Sequence, residues 1–461
     1  MIIDNYLTQY GLKETWHSLL YNLSKDERIE HNNNIAENFL EEKSFYEISD
    51  LYEYSLSFVD KLNKKQNGQY YTSRDVCVMM AKQSLEFQNG IWCDPCCGIG
   101  NLSYELLNLH PEMIHTMQFF DIDETALFVC RFLLSRFFNV DMDEIKHNFH
   151  NCSFLENNDV SYDYIIMNPP YNGKIVGEDL YITFMKKACE SKGFISVTPQ
   201  GFTNSINKSA IELKDKINSF SHYKIYCFDN IPGCLFCGRK KGIFNTNGAN
   251  SVRAAITVCN NFNNEKLITP LMRWKNDERK KLFEQLDNNL TESIYDGKKI
   301  YKLFKETAIF LNGDRKIEDL FSKEKTEYIL YIPSTPRYYI TASKRFLNRS
   351  SYHELYFNNI NDLNTAYLII NSALMYWWWK ISDGGMTLSA ETIKNLKFNS
   401  IDINMSLVHK LEEEENTCLV SKINAGKANE NIKHSAQLLK ELDEFYGLAS
   451  LEFSKNNSYI I

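Results

Sequence analysis

Ile91-Trp92-Cys93-Asp94-Pro95-Cys96-Cys97-Gly98-Ile99-Gly100-Asn101 is the stretch on which the fold turns. Three apolar residues run into an acid, two glycines follow within a short loop, and a helical pattern spans Asn101 to Leu109. Strand, glycine turn and helix in that order place a backbone without Cβ atoms at a strand tip. A nucleotide-like ligand can approach such a backbone closely. Taken alone the loop is also common in plain α/β cores, so the reading depends on what surrounds it.

Downstream, short apolar runs alternate with helical stretches. Thr116 to Phe120 reads as the second strand, ending at Asp121, and Glu124 to Phe138 as an apolar helix. A third strand is expected within residues 145–152, and Tyr164 to Met167 forms a fourth that ends at Asn168. Further strands are expected at Phe194–Thr198, Lys224–Phe228 and Ala254–Cys259. This alternation predicts a parallel α/β sheet from about residue 70 to 260. Asp121 stands 27 residues after Asp94 at the next strand tip, where a ribose is hydrogen-bonded in nucleotide-binding sheets. Asp123 is the better candidate for the N-cap of the helix that follows.

The second chemical motif is Asn168-Pro169-Pro170-Tyr171. Two consecutive prolines fix φ twice and remove two N–H groups. The Asn168 side chain and the Pro169 backbone then supply two rigid carbonyl acceptors, a pair suited to gripping both hydrogens of an amino group. Tyr171 adds an aromatic face on which a planar base can stack.

Together these motifs resemble the N6-adenine DNA methyltransferases. The match is to the arrangement in which the cofactor motif precedes Asn-Pro-Pro-Tyr and a target-recognition domain follows both. The resemblance implies a Rossmann-like, S-adenosyl-L-methionine-dependent α/β catalytic sheet over residues 66–262. A helical N-terminal segment (1–65) would precede it. A mixed α/β recognition domain (263–400) and a C-terminal helical segment (401–461) would follow. Gly68-Gln69-Tyr70-Tyr71-Thr72-Ser73 resembles the family's element that closes over the methionine end of the cofactor, with Ser73 where Pro is usual. The implied cofactor residues are Tyr71, Thr72, Asp94, Pro95, Cys96, Gly98, Gly100, Asp121, Ile122, Ser153 and Phe154. Ser153 stands where the family often has an acid, and Phe154 would pack on the adenine ring. Asp179–Phe184 and Gly193–Pro199 resemble the helix and fifth strand that follow the catalytic motif. Asn168, Pro169, Pro170 and Tyr171 would carry the transfer to adenine N6 of double-stranded DNA, with the base flipped out of the stack. The partner of Tyr171 on the other face of the base would be Phe236 or Phe244.

Charge supports such a division of labour. The chain has 461 residues and a net charge of -8. Residues 1–60 hold four Lys or Arg against twelve Asp or Glu, whereas residues 236–349 hold twenty-two against thirteen, a local balance of +9. A basic segment within an acidic chain fits a phosphate-binding face, or equally a solvated lysine-rich surface. Arg337, Lys344 and Arg345, in a Tyr-rich stretch, are the candidate DNA contacts beside Phe236. Tyr376-Trp377-Trp378-Trp379 reads as a buried helix rather than a stacking platform. The cysteines scatter among apolar segments. Neither Cys93–Cys96 nor Cys234–Cys237 has a second ligand pair at finger spacing, so reduced thiols and no metal are expected. No apolar run is long enough for a membrane span and the N-terminus lacks the order of a signal peptide, so the expected location is cytoplasmic. A cognate restriction endonuclease is a candidate partner beside DNA. The competing readings are an RNA or protein-glutamine methyltransferase of the same fold, and a DNA-binding protein with an inactive methyltransferase-like domain.

Overall fold

A computed structural model of the chain describes residues 43–50, 52, 72–157, 159–230, 233–236, 252–302, 312–336, 339–382, 387–424 and 427–448. It divides into two compact units, one ending at Leu290 and the other starting at Thr291.

The first unit is built on a sheet whose strands are short and buried. In chain order they are β1 (Trp92–Asp94), β2 (Gln118–Phe120), β3 (Phe149–His150) and β4 (Tyr164–Met167). After a small hairpin, β5 (Lys174–Ile175) and β6 (Glu178–Asp179), come β7 (Gly193–Pro199), β8 (His222–Phe228), β9 (Ala254–Asn260) and β10 (Lys266–Ile268). Their order across the sheet is β10-β8-β9-β7-β4-β1-β2-β3. Every residue of β4 is buried, and so is every residue of β9, as expected of strands covered on both faces. The helices needed below are α1 (Arg74–Gln83), α2 (Asn101–Leu109), α3 (Glu124–Phe138), α4 (Leu180–Ala188), α5 (Lys208–Ser219) and α6 (Arg279–Glu284). α2 and α3 coincide with the sequence expectation because their ends are chemically marked. Gly100, at φ 90°, opens α2. Asp123 caps α3 by accepting from the Thr125 and Ala126 backbones, and Asn139 closes it at φ 53°.

The architecture is an open, Rossmann-like α/β sheet. β1 pairs in parallel with β2 on one side and with β4 on the other. The chain moves outward through β2 and β3, then returns to the far side of β1 for β4. That reversal makes β1 and β4 the switch point, and the crevice beyond their carboxyl ends is where open α/β sheets take ligands. One expectation fails. The sheet is mixed, because β9 runs antiparallel between β7 and β8. A strand buried on both faces reads as a continuous apolar run in either direction, so its sequence carries no sign of its sense.

The expected boundary at residue 262 also differs from the packing. β10 pairs in parallel with β8, and the backbone of Met272 donates to Cys227, so residues 263–290 belong with the sheet. Of the expected N-terminal helices, residues 45–50 are helical, and most of the rest lies outside the described residues.

The second unit contains a hairpin of β11 (Thr291–Tyr295) with β12 (Ile300–Lys302) and a strand pair of β14 (Ile329–Pro333) with β15 (Tyr352–Tyr356). β13 (Arg315–Lys316) pairs with β16 (Lys397–Phe398). Its helices include α7 (Ile360–Asn371), α8 (Ala373–Ser382), α9 (Ala390–Lys394), α10 (Met405–Thr417) and α11 (Ala436–Phe445). Tyr376, Trp377, Trp378 and Trp379 are all buried on α8, as the sequence reading favoured. One core joins residues from Ile317 through Leu448, so residues 401–448 share their core with the segment before them. That tail is also not purely helical, because β17 (Leu419–Asn424) and β18 (Lys427–Ile432) form a hairpin within it. Among the described residues no helix is long and apolar enough to cross a membrane.

Candidate active site

The carboxyl end of β1 is held by its own acid. Asp94, 1% exposed, accepts from the Ser103 hydroxyl at 2.7 Å and from the Cys96 backbone at 3.4 Å. The glycine loop is thereby tied to the second residue pair of α2. Burial pushes the Asp94 carboxyl up to about 7, with the Ser103 and Cys96 hydrogen bonds opposing and the nearby Asp121 charge adding to the shift.

The loop meets β2 through Asp121. One Asp121 oxygen accepts from the Gly98 backbone at 2.8 Å and the other from the Asp123 backbone at 2.9 Å. Each carboxylate oxygen has capacity for a second donor. Burial raises the Asp121 carboxyl, while those backbone donors work against the shift. Gly98 sits at φ 53° with nothing within 4 Å of the place a Cβ would occupy. Gly100 has a different reason to be glycine, since a Cβ there would come within 2.7 Å of the Cys130 sulfur on α3. The loop therefore packs tightly against the helix at Gly100 and leaves open space at Gly98. An acid at the β2 tip beside that space fits a nucleoside-bearing cofactor. Ile122, 76% exposed, presents an apolar surface next to Asp121.

The two expected cofactor residues after β3 differ in burial. Phe154 is 1% exposed and packs among Phe120, Tyr162 and Phe184, with the Lys187 ammonium over its ring at 4.8 Å. Its ring belongs to the core rather than to an open binding face. Ser153 is partly exposed, and its carbonyl accepts from the Glu156 backbone. Tyr71 lies outside the described residues, as do Phe244 and Arg337.

At the end of β4, the Asn168 side-chain nitrogen donates to the Thr72 hydroxyl at 2.9 Å. The Thr72 carbonyl in turn accepts from the Asn101 side chain at 3.1 Å, and Asn101 accepts from the Ser49 hydroxyl at 3.0 Å. Ser49, Asn101, Thr72 and Asn168 thus form a chain of hydrogen bonds from the N-terminal helix to the Asn168–Tyr171 motif. The β1 and β4 ends also meet at Cys96. Burial pushes its thiol well above the ordinary range, and the Asn168 backbone acts in the opposite sense. Sequence reading missed Ser49, Asn101 and Ser103, which looked like ordinary helix residues. The signal available for Asn101 was its position directly after Gly100, at the loop it helps to hold.

Tyr171 is buried, donates to the Val197 carbonyl at 3.3 Å, and meets Phe236 edge to face at 5.9 Å between centroids and 76° between planes. Phe236, one of the two expected aromatic partners, thus meets Tyr171, while Phe244 lies outside the described residues. The short segment carrying Phe236 is secured from below. Gly233 lies so close to Trp274 that a Cβ would come within 2.4 Å of the indole nitrogen, and Arg279 donates to the Cys234 carbonyl at 2.8 Å. The same Arg279 pairs with Asp75 and donates to the Ser73 hydroxyl at 3.0 Å. One guanidinium from α6 therefore ties the Phe236 segment to the residues just after Thr72.

Lys344 and Arg345 have intramolecular partners in the second unit. Lys344 bonds Asn364 and Glu412 at 2.6 Å each and lies over the Tyr367 ring, while Arg345 donates to the Glu415 carbonyl. Both tie a loop to α10.

Residues 44–192 match the family model described as N-6 DNA Methylase. The type II methyltransferase M.VspI from Vibrio sp. (strain 343) is 32% identical over 139 residues, which is 29% of this chain and 31% of that protein. The matched part thus spans about a third of the relative's length. Among solved structures, the DrdV–DNA complex resembles the chain with a TM-score of 0.42 at 13% identity, covering 62% of this chain and 37% of that one. The methyltransferase subunit of a type I restriction-modification system from Streptococcus thermophilus does so with a TM-score of 0.36 at 13% identity, covering 51% and 56%. Residues 44–192 thus resemble an N6-methylase type of domain, a kind that uses S-adenosyl-L-methionine.

Proposed function

We propose that the chain is a site-specific DNA methyltransferase acting on adenine N6 in double-stranded DNA, within a restriction-modification setting. One observation carries the reading. At the switch point of the sheet, the Asn168 amide is held at the β4 tip by its bond to the Thr72 hydroxyl, directly after the buried strand. The rigid Pro169 carbonyl follows Asn168 in the chain, and the Asn168 backbone meets Cys96 of the glycine loop.

Asp121, the glycine loop and Ile122 would hold the nucleoside part of the cofactor, with Asp94 bracing the loop and Thr72 closing beside it. Bound there, S-adenosyl-L-methionine supplies an electrophilic methyl group on a sulfonium. Asn168 and the Pro169 carbonyl accept the two hydrogens of the adenine amino group and draw electron density onto its nitrogen. Tyr171 and Phe236 border the place where the base would lie, and their present edge-to-face contact must open to admit it. The base must leave the duplex stack to reach this depth. Fixing the acceptors before the substrate arrives is what lowers the barrier, since their dipoles need no reorganisation during transfer.

The test is methyl transfer from labelled S-adenosylmethionine to unmethylated genomic DNA, with modified bases mapped by sequencing. The expected result is N6-methyladenine at one short motif, abolished by Asn168→Ala. Label in RNA or protein but not in DNA would overturn the substrate assignment. Cofactor binding without transfer to any of them would favour a DNA-binding protein with an inactive site.

A further inference from the structure

Directly after Tyr171 the chain forms the β5–β6 hairpin, and every residue from Asn172 through Gly177 is exposed. Its two-residue loop is Val176-Gly177, both at positive φ, 52° and 82°. Ile175 pairs with Glu178 immediately below it. This is a type I′ turn, whose first position is normally Asn, Asp or Gly. A β-branched side chain resists the left-handed conformation strongly. Val176 is nonetheless fully exposed at 103%, and Ile175 beside it at 42%, so neither contributes to a core.

The base of the hairpin is the opposite of its tip. Leu180 donates from its backbone to the Gly173 carbonyl at 3.1 Å, closing the stem. Glu178 is fastened to α4 by the Lys186 ammonium at 2.6 Å and the Thr183 hydroxyl at 2.8 Å, and Lys186 also reaches Glu212 on α5. That pairing neutralises the acid nearest the tip, while Lys174 on the opposite strand stays exposed. The sequence thus places an apolar tip, in a strained turn, on a stiff stem a few residues from the catalytic motif. Strain of this kind persists where the surroundings enforce it and marks functional positions.

We infer that the Ile175–Val176 tip is a wedge for duplex DNA that enters the base stack and occupies the space the extruded adenine leaves. Apolar side chains inserted between base steps are an established means of holding a duplex open. Lys174 is placed to meet a backbone phosphate alongside. The inference rests on the proposed reading of the site as acting on a flipped adenine.

The experiment uses the full chain and Val176→Asn, which converts the turn to the favoured Asn-Gly pair and removes the apolar tip. The substrates are two synthetic duplexes carrying a motif that the wild type methylates. In one the target adenine pairs with thymine, and in the other it faces an abasic site. Extrusion is cheapest for an unpaired base. The variant should keep or raise its Tm, lose about tenfold or more in rate on the paired duplex, and approach the wild type on the abasic one. Equal rates on the paired duplex, or equal losses on both substrates, would overturn the wedge. If the wild type methylates no adenine in any DNA, the reading of the site itself fails and takes the wedge with it.

Discussion

Thr72 does most of its work through one atom. Its hydroxyl accepts from the Asn168 side-chain nitrogen and so helps to hold the amide that the proposed transfer uses. Thr72→Val keeps the shape and removes the bond, which is worth about 0.5–1.5 kcal/mol, or roughly two- to twelvefold in rate. We expect kcat to fall by about that factor with cofactor affinity little changed, and Thr72→Ser to restore it; steady-state kinetics separate the two. Asp94 offers a second test at this scale. Its folded-state value of about 7 lies above the ordinary carboxylate value near ~4. Between the two the folded chain holds a proton that the unfolded chain has released. The stability this group contributes is therefore complete below ~4 and is lost as pH rises, levelling off once the folded-state value has been passed. Asp94→Asn removes the titration, so denaturant unfolding between about pH 5 and 7 should show a shallower decline than in the wild type. An unchanged slope would assign the titration elsewhere. The sequence showed Asp94, Asp121 and Asn168 because each ends an apolar run. It could not show Ser103 or Ser49, whose roles depend on which way a helix face turns.

At the scale of elements, legibility depended on local marking. α2 and α3 have chemical signals at their ends, a glycine before one and an aspartate cap with an asparagine stop on the other. The direction of β9 had no such signal, and the hairpin after Tyr171 was too short to register as two strands. The tie made by Arg279 was beyond reach for another reason. Asp75 and Cys234 stand 204 and 45 residues away from it in the chain. Only the fold brings Ser73, Asp75 and the Cys234 carbonyl within the span of one guanidinium. The fork suits three acceptors at fixed angles, which a lysine ammonium cannot reproduce. Because one segment leads to Thr72 and the other carries Phe236, Arg279→Ala should raise KM for cofactor and for DNA together. A rise of about five- to twentyfold in each is expected, with a Tm drop of only a few degrees, since the group is partly exposed. Arg279→Lys should recover part of the effect. A change in one KM alone would show that the residue serves one segment rather than coupling both.

For the molecule as a whole, the sequence placed a domain boundary at residue 262 because the strand–helix rhythm ends there, yet the packing of the first unit continues to Leu290. The difference has a physical cause that is open to test. Residues 263–290 contribute β10, which pairs with β8, and they supply Arg273 and Trp274. Asp229, 1% exposed at the end of β8, is held by both Arg253 and Arg273, and these partners keep its carboxyl below the usual range against the pull of burial. Trp274, also 1% exposed, lies against Phe228 and Gly233. Removing one partner from a buried charge costs about 3–5 kcal/mol, and losing a buried tryptophan costs about as much. Together they match the whole stability of an ordinary domain, about 5–15 kcal/mol. A fragment of residues 1–262 should therefore fail to unfold cooperatively by circular dichroism. Residues 1–290, which retain β10, Trp274 and Arg279, should unfold in one cooperative transition whose midpoint rises on adding S-adenosylmethionine. A cooperative transition in the shorter fragment would return the boundary to where the rhythm of the sequence placed it. It would also make Arg273, Trp274 and Arg279 accessories to the sheet rather than parts of it.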